Sequence, residues 1–284
     1  MAIEKFIPEI WAKKFNEDLE RDLVFYENCN HEYEGIATQP GDTIKILGLG
    51  DVNVRKFTDG KLHALDDPET IEDLSMTMPI MQIRDFNFFV DDLEKRQAEG
   101  GSGLLSKYMA KARTKIAREQ DEYIASLVAD PQIKVIDKTE DGLTYKNVLD
   151  AIDEALEALW TNDVSRDTEV TITVPHKFVT MLKKAYVELD TDNSEMLKHG
   201  KVGKYGGAII KASNNVYSSA EDIYDIQVKT NHAISFVKPY LHLESYKPEK
   251  HFRDGVKGYS LFDGRVTAPK EIVNLRMKFG TVTA

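Results

Sequence analysis

The chain carries a single cysteine, Cys29, in 284 residues. One thiol closes no intrachain disulfide, and a thiolate zinc site needs several sulfurs, so neither device staples this fold. A lone cysteine among apolar neighbours reads as packing. No apolar run approaches the roughly 20 residues of a membrane-spanning helix. The opening MAIEKFIPEIWAKKF is broken by Glu4, Lys5, Glu9, Lys13 and Lys14. No signal peptide is visible there, and maturation in a cytoplasm is expected. Positive charge is also in deficit, with 37 Lys and Arg against 48 Asp and Glu and a net charge of −11. Such a balance repels a phosphate backbone, and no basic stripe offsets it, which argues against a dedicated nucleic-acid binder. It leaves room for a non-adhesive wall around nucleic acid.

Reactive motifs are missing as well. Gly100-Gly101-Ser102-Gly103 is glycine-rich, but no strand leads into it and no GK[ST] follows. Gly200-Lys201-Val202-Gly203-Lys204-Tyr205 misses the phosphate-loop pattern too. Neither HExxH nor GxSxG occurs, and acidic pairs are what so acidic a composition produces. Of seven histidines, the densest setting is His31-Glu32-Tyr33-Glu34, followed by His242 with Glu244. Alternate residues on a strand share a face without a metal, so no metal site or cofactor is assigned.

What is present is a folded composition, 42% hydrophobic and 30% charged. After Pro8, Trp11, Phe15, Leu19 and Leu23 recur on one helical face. From Tyr33 to Val90 the period changes to two, in Thr43–Leu47, Val52–Phe57, Met81–Ile83 and Phe86–Phe88. The turn-rich stretch TDGKLHALDDPETIED lies between, so a long hairpin or tongue is expected. A two-stranded ribbon alone is marginal in water and has open edges, so it calls for an external surface. Asp91 and Asp92 read as a helix start. Positions 104 to 129 have helical spacing, a rod of about 39 Å. Lys107, Lys111, Arg113, Lys115, Arg118 and Glu119 form its polar face.

A second α/β region follows. NVLDAIDEALEALW reads as helix, Glu169–Val174 as strand, and Pro175 as the start of a helix through Phe178, Val179, Leu182 and Tyr186. Gly206–Ile210 and Ala233–Val237 are short buried-strand candidates, with ASNNVYSSAEDIYDI between them as a polar loop. The tail returns to sheet: Tyr240–Tyr246 and Gly258–Phe262 alternate, Asp263-Gly264 has the chemistry of a two-residue turn, and Leu275, Met277 and Phe279 share a face. Lys247–Lys257 is a mixed-charge loop. Mixed charge suits solvated surface, and equally a contact where like subunits pair reciprocally.

Taken in order, these pieces resemble the major capsid proteins of tailed bacteriophages with the Hong Kong 97-type fold, in its compact form without an inserted domain. Ile7-Pro8-Glu9-Ile10-Trp11 with Leu19 and Leu23-Val24 resembles the opening helix of that family. Tyr33-Glu34-Gly35 and Gly41–Ile46 resemble the start of the extension loop, and Phe86–Asp92 its return to the spine helix. Thr173-Val174-Pro175 resembles the strand-to-helix step of the axial lobe, although His176 stands where a second proline is common. Tyr246–Lys250, Val256–Gly258 and Ala268-Pro269-Lys270 resemble the peripheral sheet.

The resemblance implies an α+β fold in five parts. These are an N-terminal arm (1–31), an extended β-hairpin loop (32–90), a spine helix with the first part of a peripheral domain (91–145), an axial α/β domain (146–238) and a returning peripheral sheet (239–284). It implies a structural, non-catalytic protein that assembles as pentamers and hexamers into an icosahedral head around double-stranded DNA, contacted non-specifically. Expected partners are further copies of itself, a portal protein and a separate scaffolding protein, since the sequence opens directly on the arm. The expected location is the virion, with host cytoplasm during assembly and no membrane. Subunit contacts are expected at Arg55, Lys56 and Lys61 on the tongue and at Glu249, Lys250, Arg253 and Asp254 on the charged loop. Gly100, Gly101 and Gly103 are expected to hinge the spine helix. Two alternatives stand beside this reading: a nanocompartment shell of the same fold enclosing a cargo enzyme, and a metal-dependent hydrolase using His31, Glu32 and Glu34.

Overall fold

The computed structural model describes residues 23–35, 42–49, 73–91, 103–162, 164, 168–188, 203–246 and 253–280. Among these are three α-helices: α1 (Gly103–Ser126), α2 (Val148–Thr161) and α3 (His176–Glu188). The strands are β1 (Thr43–Leu49), β2 (Asp73–Pro79), β3 (Gln82–Asp91), β4 (Lys134–Leu143), β5 (Val170–Val174), β6 (Lys204–Tyr205), β7 (Ala208–Ala212), β8 (Ser218–Ala220), β9 (Ile223–Thr230), β10 (Ile234–Tyr246), β11 (Arg253–Val266) and β12 (Ile272–Phe279). They form three sheets.

The largest sheet has the order β4-β12-β9-β5-β7-β6, with β8 paired to β9. Its two parallel pairings, β4 with β12 and β5 with β7, need long crossovers. The second crossover contains α3. Helix α2 forms because Val148, Ile152, Ala155 and Leu159 recur at helical spacing; all four are buried against this sheet together with Leu156. Pro175 cannot extend the β5 ladder, and its carbonyl accepts the N–H of Phe178, which opens α3. Phe178 and Leu182 then lie in the same core as Ile172, Val228 and Leu275.

Two sequence expectations are overturned in this sheet and its neighbour. The stretch expected as a polar loop contains β8 and the first half of β9, and β9 lies in the interior of the sheet between β12 and β5. Ile226 and Val228 join the apolar core, while Asp225, Gln227 and Lys229 point to the opposite face and are also buried. Charge suggested solvent there, but each of these polar groups has a partner in the protein. Asp263-Gly264, expected as a two-residue turn, lies within β11, paired to Val237 and Phe236 of β10. The Asp263 carboxylate is engaged elsewhere and the strand runs straight through.

The second sheet has the order β10-β11-β3, antiparallel throughout. The buried strand expected at 233–237 and the alternating strand expected at 240–246 are one 13-residue strand, β10, with a register shift between Val237 and Tyr240. Pro239 lies within that shift and has no N–H for the ladder. One face of this sheet packs on α1: Phe86, Phe88, Leu243, Val256 and Phe262 meet Met109, Ile116, Ala117 and Ile124. A side chain at Gly258 would strike the ring of Phe86, its cross-strand partner, at 2.8 Å. Only glycine lets this aromatic lie flat across the ladder.

The third sheet is a hairpin, β1 paired antiparallel with β2 from Thr43↔Pro79 to Leu49↔Asp73; the returning strands expected at 81–83 and 86–88 instead belong to β3, paired with β11. The sheets draw strands from across the sequence segments set out above. The seven-stranded sheet takes β4 from 91–145 and β12 from 239–284, besides β5 to β9.

Candidate functional site

Three arrangements outside the main core join distant parts of the chain. The first is the base of the tongue. Ile44, Ile46, Met78 and Ile80 bury against Val237 and Leu261, and the Ile80 N–H donates to the Asp42 carbonyl at 3.0 Å. The buried Asp263 carboxylate accepts the Met81 N–H at 2.9 Å, the Tyr123 hydroxyl at 2.5 Å and its neighbour Gly264 N–H at 2.8 Å. Arg265 donates to the Thr77 carbonyl. Leu261, Asp263 and Arg265 alternate along β11, so one strand face grips 77–81. Burial pushes the Tyr123 phenol well above its usual range, and the adjoining Asp263 carboxylate pushes it further, so this proton stays in place.

The second is the seam between the seven-stranded sheet and the segment 23–35. Leu23 and Phe25 are fully buried, and the Asp121 carboxylate of α1 accepts the N–H groups of Val24 at 3.0 Å and Phe25 at 3.2 Å. Burial raises Asp121 from 3.8 to about 6, partly offset by those backbone donors and by the Asn215 side chain. From β9, Lys229 donates to the Asn28 carbonyl at 2.5 Å and lies 3.4 Å from the Cys29 sulfur. Gln227 donates to the carbonyls of Ile124 and Ala125, in the last turn of α1 where no intrahelical donor remains. Asp225 accepts from Asn274 and from Arg276, both at 2.9 Å. The polar face of β9 thus binds helix end, arm base and neighbouring strand. Burial raises the Cys29 thiol, which keeps it protonated and packed.

The third is the outer face of the β10-β11-β3 sheet, turned away from α1. Met81, just before β3, and Ile83, Asp85, Asn87 and Phe89 along it alternate outward and are all exposed. Across the ladder, Lys257 lies 2.9 Å from Glu244, and the Tyr246 hydroxyl donates to Asn87 at 2.8 Å. The Lys257 ammonium holds the Glu244 carboxyl below its usual range.

Few of the sequence-assigned residues fall within the described part of the chain. Arg55, Lys56, Lys61, Glu249, Lys250, Gly100 and Gly101 lie outside it. Arg253 and Asp254 open β11, paired to Asp91 and Val90 of β3, and Gly103 is the first residue of α1. His31 lies against Tyr26, with its Nε2 2.9 Å from the Tyr26 carbonyl, and Glu34 accepts the Tyr26 hydroxyl at 2.8 Å. Among the described residues no group of three or more His, Cys, Asp or Glu is disposed to hold a metal, and no helix is long and apolar enough to cross a membrane. Sequence reasoning missed Asp121, Lys229 and Asp263. Asp121 left one trace: an acid at i+4 from Ala117 and i−3 from Ile124, inside the apolar stripe of α1.

No protein-family model and no curated protein matches the chain. Solved structures do. A structure from Mycobacterium phage Che8 superposes with a TM-score of 0.72 at 23% identity, covering 89% of this chain and 90% of that one. The capsid of cyanophage P-SCSP1u gives 0.67 at 14% identity, covering 91% and 89%. A virus-like particle from Pyrococcus furiosus gives 0.60 at 14%, covering 95% and 100%. The chain therefore has the capsid fold of tailed bacteriophages, the α+β architecture expected from the order of its parts.

Proposed function

We propose that this chain is the major capsid protein of a tailed bacteriophage. It assembles as pentamers and hexamers into an icosahedral head that encloses double-stranded DNA. The observation that carries this reading is the fold match over about nine-tenths of both chains with a phage capsid subunit. The anatomy supports it: the described part of a β-hairpin is anchored at its base by Asp263 and the Ile44–Ile80 cluster, and a two-stranded ribbon is marginal without a further surface. The role is structural, and binding energy shared among many modest contacts replaces catalysis.

Arg55, Lys56 and Lys61, Glu249 and Lys250, and Arg253 and Asp254 at the start of β11 belong to the contacts between copies, and Gly100 and Gly101 with Gly103 at the first position of α1 to a hinge. A separate scaffolding protein and a portal act as partners during assembly in host cytoplasm. The net charge of −11 suits a wall that encloses DNA without adhering to it. Expression of the full chain with and without the scaffolding protein, followed by electron microscopy, tests the proposal. Closed particles of uniform diameter built of capsomers are expected. A small, monodisperse species at every concentration overturns it, and particles filled with a protein cargo instead of DNA assign the shell to a nanocompartment.

A further inference from the structure

Strands β9 and β12 place three polar side chains together on the face of the large sheet turned away from its apolar core. Gln227 and Asn274 stand opposite one another in the ladder, and the Asn274 amide nitrogen donates to Asp225 at 2.9 Å. Each of the three residues is 1% exposed. Five buried side-chain atoms among the described residues have no hydrogen-bond partner, and three of them lie here: Asp225 Oδ2, Gln227 Oε1 and Asn274 Oδ1. An unmet buried acceptor is costly, and three at one place point to a group that serves them all. The bonds already made fix what is left over. The Gln227 amide nitrogen donates to the carbonyls of Ile124 and Ala125 at 2.8 and 3.1 Å, and the Asn274 nitrogen faces a carboxylate. Those partners can only accept, so neither amide can be turned round and oxygen is the unmet atom in both. On Asp225, Asn274 and the Arg276 Nε both meet Oδ1, where a guanidinium could have taken both oxygens as a fork. Oδ2 is left bare.

We infer that these three oxygens form a binding site for an alkali-metal cation, sodium or potassium. Every unmet atom is an oxygen acceptor, which excludes an anion and offers nothing to a thiolate- or imidazole-seeking metal. With one carboxylate and two amides, the set lies outside any cluster of three His, Cys, Asp or Glu. A single water brings two hydrogens to three acceptors, whereas one cation is shared by all. Charge selects the valence. Arg276 balances the Asp225 carboxylate, and the end of α1 beside Gln227 adds about half a negative charge. A monovalent ion leaves about half a positive charge in the site and a divalent ion about one and a half, so burial favours the first. The ion links β12 to β9 and, through Gln227, to the last turn of α1.

The test follows thermal melting of the full chain as sodium or potassium chloride replaces choline chloride at constant ionic strength. Choline is too large for a buried oxygen site, and screening is held fixed. The wild-type midpoint should rise by about 3–6 °C and saturate with cation concentration. Magnesium at equal ionic strength should give no such rise. Asn274→Leu, which removes one of the oxygens, should lose the response to sodium and potassium. A crystal structure of the wild-type protein in rubidium chloride, recorded at the rubidium absorption edge, should show an anomalous peak beside Asp225, Gln227 and Asn274. Because this second measurement needs no variant, the assignment stays decidable if Asn274→Leu fails to fold. A midpoint identical in every salt, a response that survives in Asn274→Leu, or an ordered water without an anomalous peak each overturns the cation site. None of these results bears on the shell reading.

Discussion

Strand β5 has no exposed residue from Val170 to Val174, whereas β3 exposes every second residue from Met81 to Phe89. The two strands belong to sheets built in different ways. The seven-stranded sheet is covered on one face by α2 and α3 and on the other by the α1 end and the 23–35 segment, so its polar side chains have partners inside the chain. Among the described residues the three-stranded sheet is covered by α1 on one face, and on the other only by the tongue base around Leu261 and Val237. The first sheet has an interior of its own. The second has half an interior, and the tongue attached to it has less. In a protein whose proposed work is to tile with copies of itself, the sealed sheet supplies rigidity and the open one supplies contact.

The sharpest way to break this contrast is to damage the sealed side. Phe178→Ala empties a fully buried ring site between α3 and the sheet and should cost about 3–5 kcal/mol of stability, read from urea unfolding. A loss under about 1 kcal/mol would show that the sheet is less tightly packed than described.

Asp121 sharpens the comparison through pH. Its folded value near 6 lies above the 3.8 of an ordinary aspartate, so the folded chain retains a proton that the unfolded chain has lost. Its stabilising contribution is complete below pH 3.8 and is lost as pH rises to about 6. Across that window wild-type stability should fall by at most about 3 kcal/mol from this group. Asp121→Asn, which does not titrate, should flatten that part of the profile. A profile of identical slope in both proteins would remove Asp121 from the account.

On the open side, Gly258→Val should cost about 1–3 kcal/mol, because the new side chain meets the Phe86 ring and the His242 carbonyl. Thermal melting checks this, and an unchanged midpoint would mean that the sheet yields freely. The smallest effect on the subunit is expected for Arg253→Glu. Its melting temperature should match wild type while the yield of closed particles in electron micrographs falls. An undiminished yield refutes the contact role given to Arg253 at the start of β11.

Much of the sealed side was legible in the sequence because its elements carry their own periodicity. The stripe of α2 and the Pro175 boundary before α3 follow from local pattern, whereas the strand that returns to β1 is 73–79 and not the expected 81–88. What escaped was decided by partners far along the chain. Lys229 reads as surface until Asn28, two hundred residues earlier, offers its carbonyl. Asp263-Gly264 reads as a turn because the dipeptide favours one. The competing partners are the Tyr123 hydroxyl and the Met81 N–H, and they hold the carboxylate in mid-strand. The exposed residues of β3 gave the alternation, but only strand order shows that this alternation lies on an edge.

The position of β12 has a consequence for synthesis. This strand, 272–279, sits between β4 and β9, parallel to one and antiparallel to the other. Until those eight residues leave the ribosome, the edge strand β4 and the interior strand β9 face each other across a gap, and α2 has no complete floor to rest on. A polypeptide cut short before this point lacks the strand that joins β4 to β9 and cannot complete this sheet.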